Sequence, residues 1–97
     1  MIRYIRDKEI EKKIIDYLAS KGAKKIEIFG SYARGEDYND IDVIVEFDSV
    51  KGMEFFSYGS ELKQLINKDV DVLTLNSISE KILPYVKRDI KVIYEKT

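Results

Sequence analysis

From Asp40 to Phe47 the chain reads DIDVIVEF, and its residues 41–47 form a nearly unbroken β-branched run. Such a run suits a central strand covered on both faces. Segments with helical spacing are at hand to cover it. Residues 7–21 carry Ile10, Ile14, Ile15 and Leu18 on one stripe and Lys and Glu elsewhere, with Asp7 placed to cap the start and Gly22 to follow the end. Residues 53–66 read as a second long helix with Phe55, Leu62, Leu65 and Ile66 inward, interrupted by Gly59. Residues 25–29 alternate and stop at Gly30, which predicts a first strand, and residues 70–75 predict a third. Pro84 suits the first turn of a short helix over residues 84–89, and residues 90–94 read as a last strand at a sheet edge. The order α-β-(short α)-β-α-β-α-β predicts one small α/β domain over residues 1–97. Its mixed sheet should have about four strands, with helices mainly on one face.

Composition narrows the chemistry. The chain has 97 residues, no histidine and no cysteine, so the commonest general base and thiolate metal ligands are absent. Catalysis must then rest on carboxylates, hydroxyls, Lys, Arg and bound metal. With 17 basic against 18 acidic residues, no basic excess favours stable nucleic-acid binding. No apolar stretch approaches the roughly 20 residues that span a bilayer, so no membrane association is expected. The N-terminal MIRYIRDKEIEKK is too charged for a signal peptide, and a cytoplasmic location is expected.

The functional signal lies in residues 28–45, IFGSYARGEDYNDIDVIV. Gly30 allows a sharp turn and close approach of backbone to a ligand. If Ser31 opens a short helix over residues 31–34, free amides and a hydroxyl face an anion there. A Gly-Ser turn is also common without any ligand. Gly30 and Gly35 have P-loop spacing, but Glu36-Asp37 stands where Lys-Ser/Thr is required, and no G-x-G-x-x-G is present. Asp40 and Asp42 point to one face of their strand, where two carboxylates repel unless a hard cation such as Mg²⁺ joins them. The same NDID also suits a solvated turn entering a strand.

Asp71, in the strand-like DVDVL, is a third acid. If residues 48–69 cross over to a parallel strand, it lies at the same end as Asp40 and Asp42. It also suits a strand-entry acid, with Asp69 as competitor. Arg34 can reach a phosphate or pair with Glu36 or Asp37. Gly35 is expected to end the short helix, Tyr32 and Tyr38 to be surface tyrosines able to stack on a base, and Lys21, Lys24 and Lys25 to form a solvated helix end.

GSYARG, then NDID, then VDVL about thirty residues later resembles the minimal nucleotidyltransferases of the DNA polymerase β-like superfamily, the antitoxin half of HEPN/MNT toxin–antitoxin modules. The resemblance covers essentially the whole chain; its one departure is Asn39 where Ser is usual. It implies that Gly30 and Ser31 contact a nucleoside triphosphate, with Arg34 a candidate nucleotide-binding residue beside them. It implies that Asp40, Asp42 and Asp71 are catalytic and bind metal, with two Mg²⁺ ions and ATP as substrate. The implied reaction is transfer of AMP to a tyrosine of a small helical HEPN-type ribonuclease toxin, with release of pyrophosphate, which silences the toxin. Two alternatives remain open: an antitoxin that neutralises its toxin by binding alone, and a transferase acting on a small molecule.

Overall fold

The computed structural model describes residues 6–96, so the charged N-terminal segment considered above lies partly outside the described residues. Helix α1 spans Lys8–Ser20 and strand β1 Ala23–Phe29; a single turn, α2, spans Gly30–Ala33. Strand β2 (Asp40–Phe47) leads to a 3₁₀ turn over Met53–Ser57, α3 (Tyr58–Ile66) and β3 (Asp69–Leu73). A second 3₁₀ turn, Leu75–Ser77, precedes α4 (Leu83–Asp89) and β4 (Lys91–Glu95). The expected caps of α1 form. Asp7 Oδ1 accepts from the Ile10 amide at 3.1 Å, and Gly22 follows the helix at φ +94°. Ile14 and Leu18 are fully buried, with Ile10 and Ile15 at the margin of the same core.

The strand order is β3-β2-β1-β4, with β1 antiparallel to both neighbours and β2 parallel to β3. Alternation splits β2 between two environments. Ile41, Val43 and Val45 join Ile26, Ile28 and Val70 beneath α1 and α3. Ile44 faces the other way, onto Ile78 and Val86 of the α4 segment. The β-branched run is thus covered on both faces, as its composition requires. Asp40 and Asp42 share the α4 side of the sheet with Ile44. No helix among the described residues is long and apolar enough to cross a membrane.

Two boundaries and one buried face differ from expectation. The second helix is broken, and the break lies at Ser57 rather than at Gly59: residues 53–57 form the 3₁₀ turn, and Gly59 sits inside the first turn of α3. Its buried stripe is Tyr58, Leu62 and Ile66, spaced by four, which leaves Leu65 on the flank and 49% exposed rather than inward. The third strand stops at Leu73, because Leu75 opens a 3₁₀ turn.

Gly59 is required by contact, not by conformation. A Cβ there would lie 2.9 Å from the Val70 carbonyl oxygen, a backbone atom that cannot move without the strand. In an exposed helix Gly→Ala gains up to about 1 kcal/mol. Here Gly59→Ala should instead lose roughly 1–2 kcal/mol by overpacking, read as a lower midpoint in urea at unchanged slope.

Candidate active site

Strand β1 ends at Phe29, opposite Asp42, and the chain turns sharply at Gly30 with φ +78°. The turn closes as α2, whose Gly30 carbonyl accepts from the Arg34 amide at 3.0 Å. Gly35, at φ +79°, ends it in the left-handed region as expected. The amides at the start of such a turn have no partner within it, which leaves them for an incoming anion. The approach to Asp42 is close: a Cβ on Gly30 would stand 2.6 Å from Asp42 Oδ2.

The parallel pairing of β2 with β3 sets Asp40 opposite Asp69 and Asp42 opposite Asp71. One carboxylate oxygen from each of Asp40, Asp42 and Asp71 lies within 4.8 Å of the other two. Asp69 stays out of this group and pairs with Lys63 at 2.8 Å. The topology foreseen from strand order therefore brings the three expected acids together, and the competitor is engaged elsewhere. Asp42 is partly buried. Burial, the charges of Asp40 and Asp71, and hydrogen bonding with Asp71 push its pKa up to about 6, offset in part by Arg34. Three oxygen donors with this unresolved repulsion fit a hard divalent cation such as Mg²⁺.

Arg34 is held by acids on both sides, Asp89 of α4 at 2.7 Å and Glu36 at 3.2 Å. The pairing with Glu36 matches one reading of the sequence; the stronger contact, to Asp89 far along the chain, was not foreseen. Tyr32 is not a surface tyrosine. It is 1% exposed, and its hydroxyl donates to Glu11 Oε2 at 2.7 Å. Tyr38 is half-buried and packs edge-on against it, ring centroids 4.9 Å apart. Of the basic cluster, Lys24 pairs with Glu46, and Lys21 lies over the rings of Tyr17 and Tyr58.

An open groove of about 400 Å³ runs from the acids along the outer side of β3, lined by Asp40, Asp71, Asp69, Ser60 and Lys63. Sequence reasoning missed Ser60 and Lys63, since a polar helix face signals only solvent until a strand is seen beside it.

A family model described as Polymerase beta, Nucleotidyltransferase matches residues 12–97. The chain belongs to that family. It is 47% identical over 73 residues to MJ0435 of Methanocaldococcus jannaschii, provisionally named a protein adenylyltransferase, across 72% of this chain and 78% of that protein. It superposes with a TM-score of 0.75 at 27% identity on a chain from the crystal structure of a toxin–antitoxin with AMP-PNP, covering 90% of this chain and 74% of the other. A chain from the complex of tri-AMPylated Shewanella oneidensis HEPN toxin with MNT antitoxin gives a TM-score of 0.72 at 25% identity, over 92% and 72% of the two chains. The resemblance seen in GSYARG, NDID and VDVL is borne out, as is the small α/β fold with a mixed sheet. This member of the polymerase β-like nucleotidyltransferases is accordingly an enzyme of nucleotidyl transfer.

Proposed function

We propose that this nucleotidyltransferase transfers AMP from ATP to a hydroxyl, a tyrosine's, on a small helical HEPN-type toxin, and thereby acts as its antitoxin. The observation that carries the reading is the meeting of three carboxylates within 4.8 Å beside the open turn at Gly30. Support for nucleotide and partner comes from the similar structures, one a toxin–antitoxin with AMP-PNP and one an AMPylated HEPN toxin with its antitoxin.

In this reading the amides after Gly30 and the Ser31 hydroxyl bind the triphosphate, Asp40 and Asp42 would hold the Mg²⁺ that accompanies it, and Asp71 would join them in holding a second on the acceptor side. Bound there, the cation supplies charge neutralisation at the phosphates and draws electron density from the α-phosphorus. Arg34, pinned to α4, contributes positive potential rather than a flexible phosphate contact. Asp71 lies at the edge strand and on the open groove, the side from which a protein acceptor can enter. The acceptor oxygen forms a bond to the α-phosphorus and the bond from that phosphorus to the β-bridging oxygen breaks. Pyrophosphate departs, and the hydroxyl proton passes to Asp71.

The division of labour is testable. Asp71→Asn should bind ATP with Mg²⁺ nearly as wild type does in calorimetric titration. It should lose transfer by roughly 10² or more, the scale of a general base. Transfer by Asp71→Asn at the wild-type rate would remove Asp71 from the chemistry.

A further inference from the structure

A four-residue helix cannot hold its own shape in water, where helices shorter than about 12 residues are marginal. The turn that starts at Gly30 must be fixed from outside, and the contacts that fix it converge on Tyr32, the residue after Ser31. Its hydroxyl donates to Glu11 Oε2 at 2.7 Å, and its carbonyl oxygen accepts from Arg6 Nη1 at 2.8 Å. The Arg6 guanidinium lies 5.0 Å from the centroids of both the Tyr32 and Tyr38 rings. Glu11 is itself 3% exposed, an unusual state for a glutamate on an amphipathic helix. The same Oε2 also accepts from the backbone amides of Arg6 at 2.9 Å and Asp7 at 3.1 Å. Burial and Glu11 both raise the Tyr32 phenol above its ordinary range, so it remains a donor at neutral pH. The entry of α1 and the Gly-Ser turn are thus one hydrogen-bonded unit, although they lie on separate elements.

We propose that Arg6 and Glu11 are positioning residues for the phosphate-binding turn, acting through Tyr32. Neither touches substrate. They set the direction in which the amides after Gly30 point, and this rests on the reading that the triphosphate binds at Gly30 and Ser31.

The test measures KM for ATP and kcat of transfer to the partner toxin, with a thermal melt, for Tyr32→Phe, Glu11→Ala, Glu11→Gln and Ser31→Ala. Tyr32→Phe should raise KM about tenfold with kcat within about twofold, the mark of lost ground-state and transition-state binding alike. Glu11→Ala should raise KM likewise, and combining it with Tyr32→Phe should add little to KM, because both remove the Tyr32–Glu11 bond that reaches the turn; the loss of the two amide bonds at the entry of α1 is read in the melt. Glu11→Gln keeps an acceptor oxygen in place and should restore KM toward wild type. Should Tyr32→Phe melt below the assay temperature, Arg6→Gln, which removes the guanidinium from the Tyr32 carbonyl and from both rings but leaves the Tyr32–Glu11 bond, is read by the same criterion. A fall in melting temperature and in kcat at unchanged KM overturns the proposal and leaves the cluster a scaffold only. If Ser31→Ala raises KM while Tyr32→Phe and Glu11→Ala do not, the phosphate reading survives and the positioning role fails. If Ser31→Ala leaves KM unchanged, the phosphate is not at this turn and the proposal falls with its premise.

Discussion

Replacing Asp42 with Asn should abolish nucleotidyl transfer and at the same time make the metal-free protein more stable. The loss of activity follows from removing one of the three clustered oxygen donors and half of the same-strand pair; a drop of roughly 10²- to 10³-fold or more is expected. The gain in stability follows from electrostatics. Asp42 titrates near 6 in the folded chain against an ordinary value of 3.8, because burial and two neighbouring carboxylates oppose its ionisation. A folded pKa above the unfolded one means the folded state binds more protons between those values. Stability contributed at this position therefore falls as pH rises from 3.8 to about 6, and at pH 7 the full cost of the charge is present. Discounted for the partial exposure of Asp42, that cost is about 1 kcal/mol. Asn removes it, so in EDTA at pH 7 the variant should melt about 4–8 °C higher than wild type, the shift expected for a domain of this size. Addition of Mg²⁺ should stabilise wild type more than the variant. An unchanged or lower melting temperature in EDTA would show that the three carboxylates do not strain the metal-free fold.

Gly30→Ala should disable the enzyme although it removes no chemical group. Two costs act together. The backbone sits at φ +78°, where an L side chain loses about 1–2 kcal/mol. The new Cβ would also stand 2.6 Å from Asp42 Oδ2, so that the carboxylate must swing out of the cluster. Binding of ATP with Mg²⁺ and transfer should both be lost, in calorimetry and in the transfer assay. Gly35→Ala is the control. It carries a similar φ of +79°, but nothing lies within 4 Å of its Cβ. It should show the backbone cost alone, a melting temperature lowered at preserved transfer. Equal loss of transfer in both would mean that backbone strain, rather than the contact with Asp42, governs the turn.

What the sequence revealed and what it hid divide along the range of the interactions. Helix α1 was legible because Asp7, the Ile14 and Leu18 stripe and Gly22 act within a few residues of one another. The acids were legible because strand alternation puts Asp40 and Asp42 on one face, and the crossover length makes β3 parallel, which brings Asp71 to the same end. Glu11 was not legible. A glutamate among lysines on an amphipathic helix reads as solvated, and its burial depends on Tyr32, 21 residues away. The second partner of Arg34, Asp89, lies 55 residues off, beyond any local pattern. Propensity alone points to Gly59 as the break before α3, whereas that glycine answers a strand carbonyl that only the folded sheet supplies. The apolar Leu65 suggests an inward position, but the core admits only the Tyr58, Leu62 and Ile66 stripe of α3.

The most direct test of the account is the intact mass of the partner toxin after incubation with this protein, ATP and Mg²⁺. The account predicts one or more added AMP groups with wild type, none with EDTA or with Asp42→Asn, and loss of toxin activity in step with the added mass. Neutralisation of the toxin by wild type with no change in mass, matched by Asp42→Asn, would contradict it and establish inhibition by binding alone.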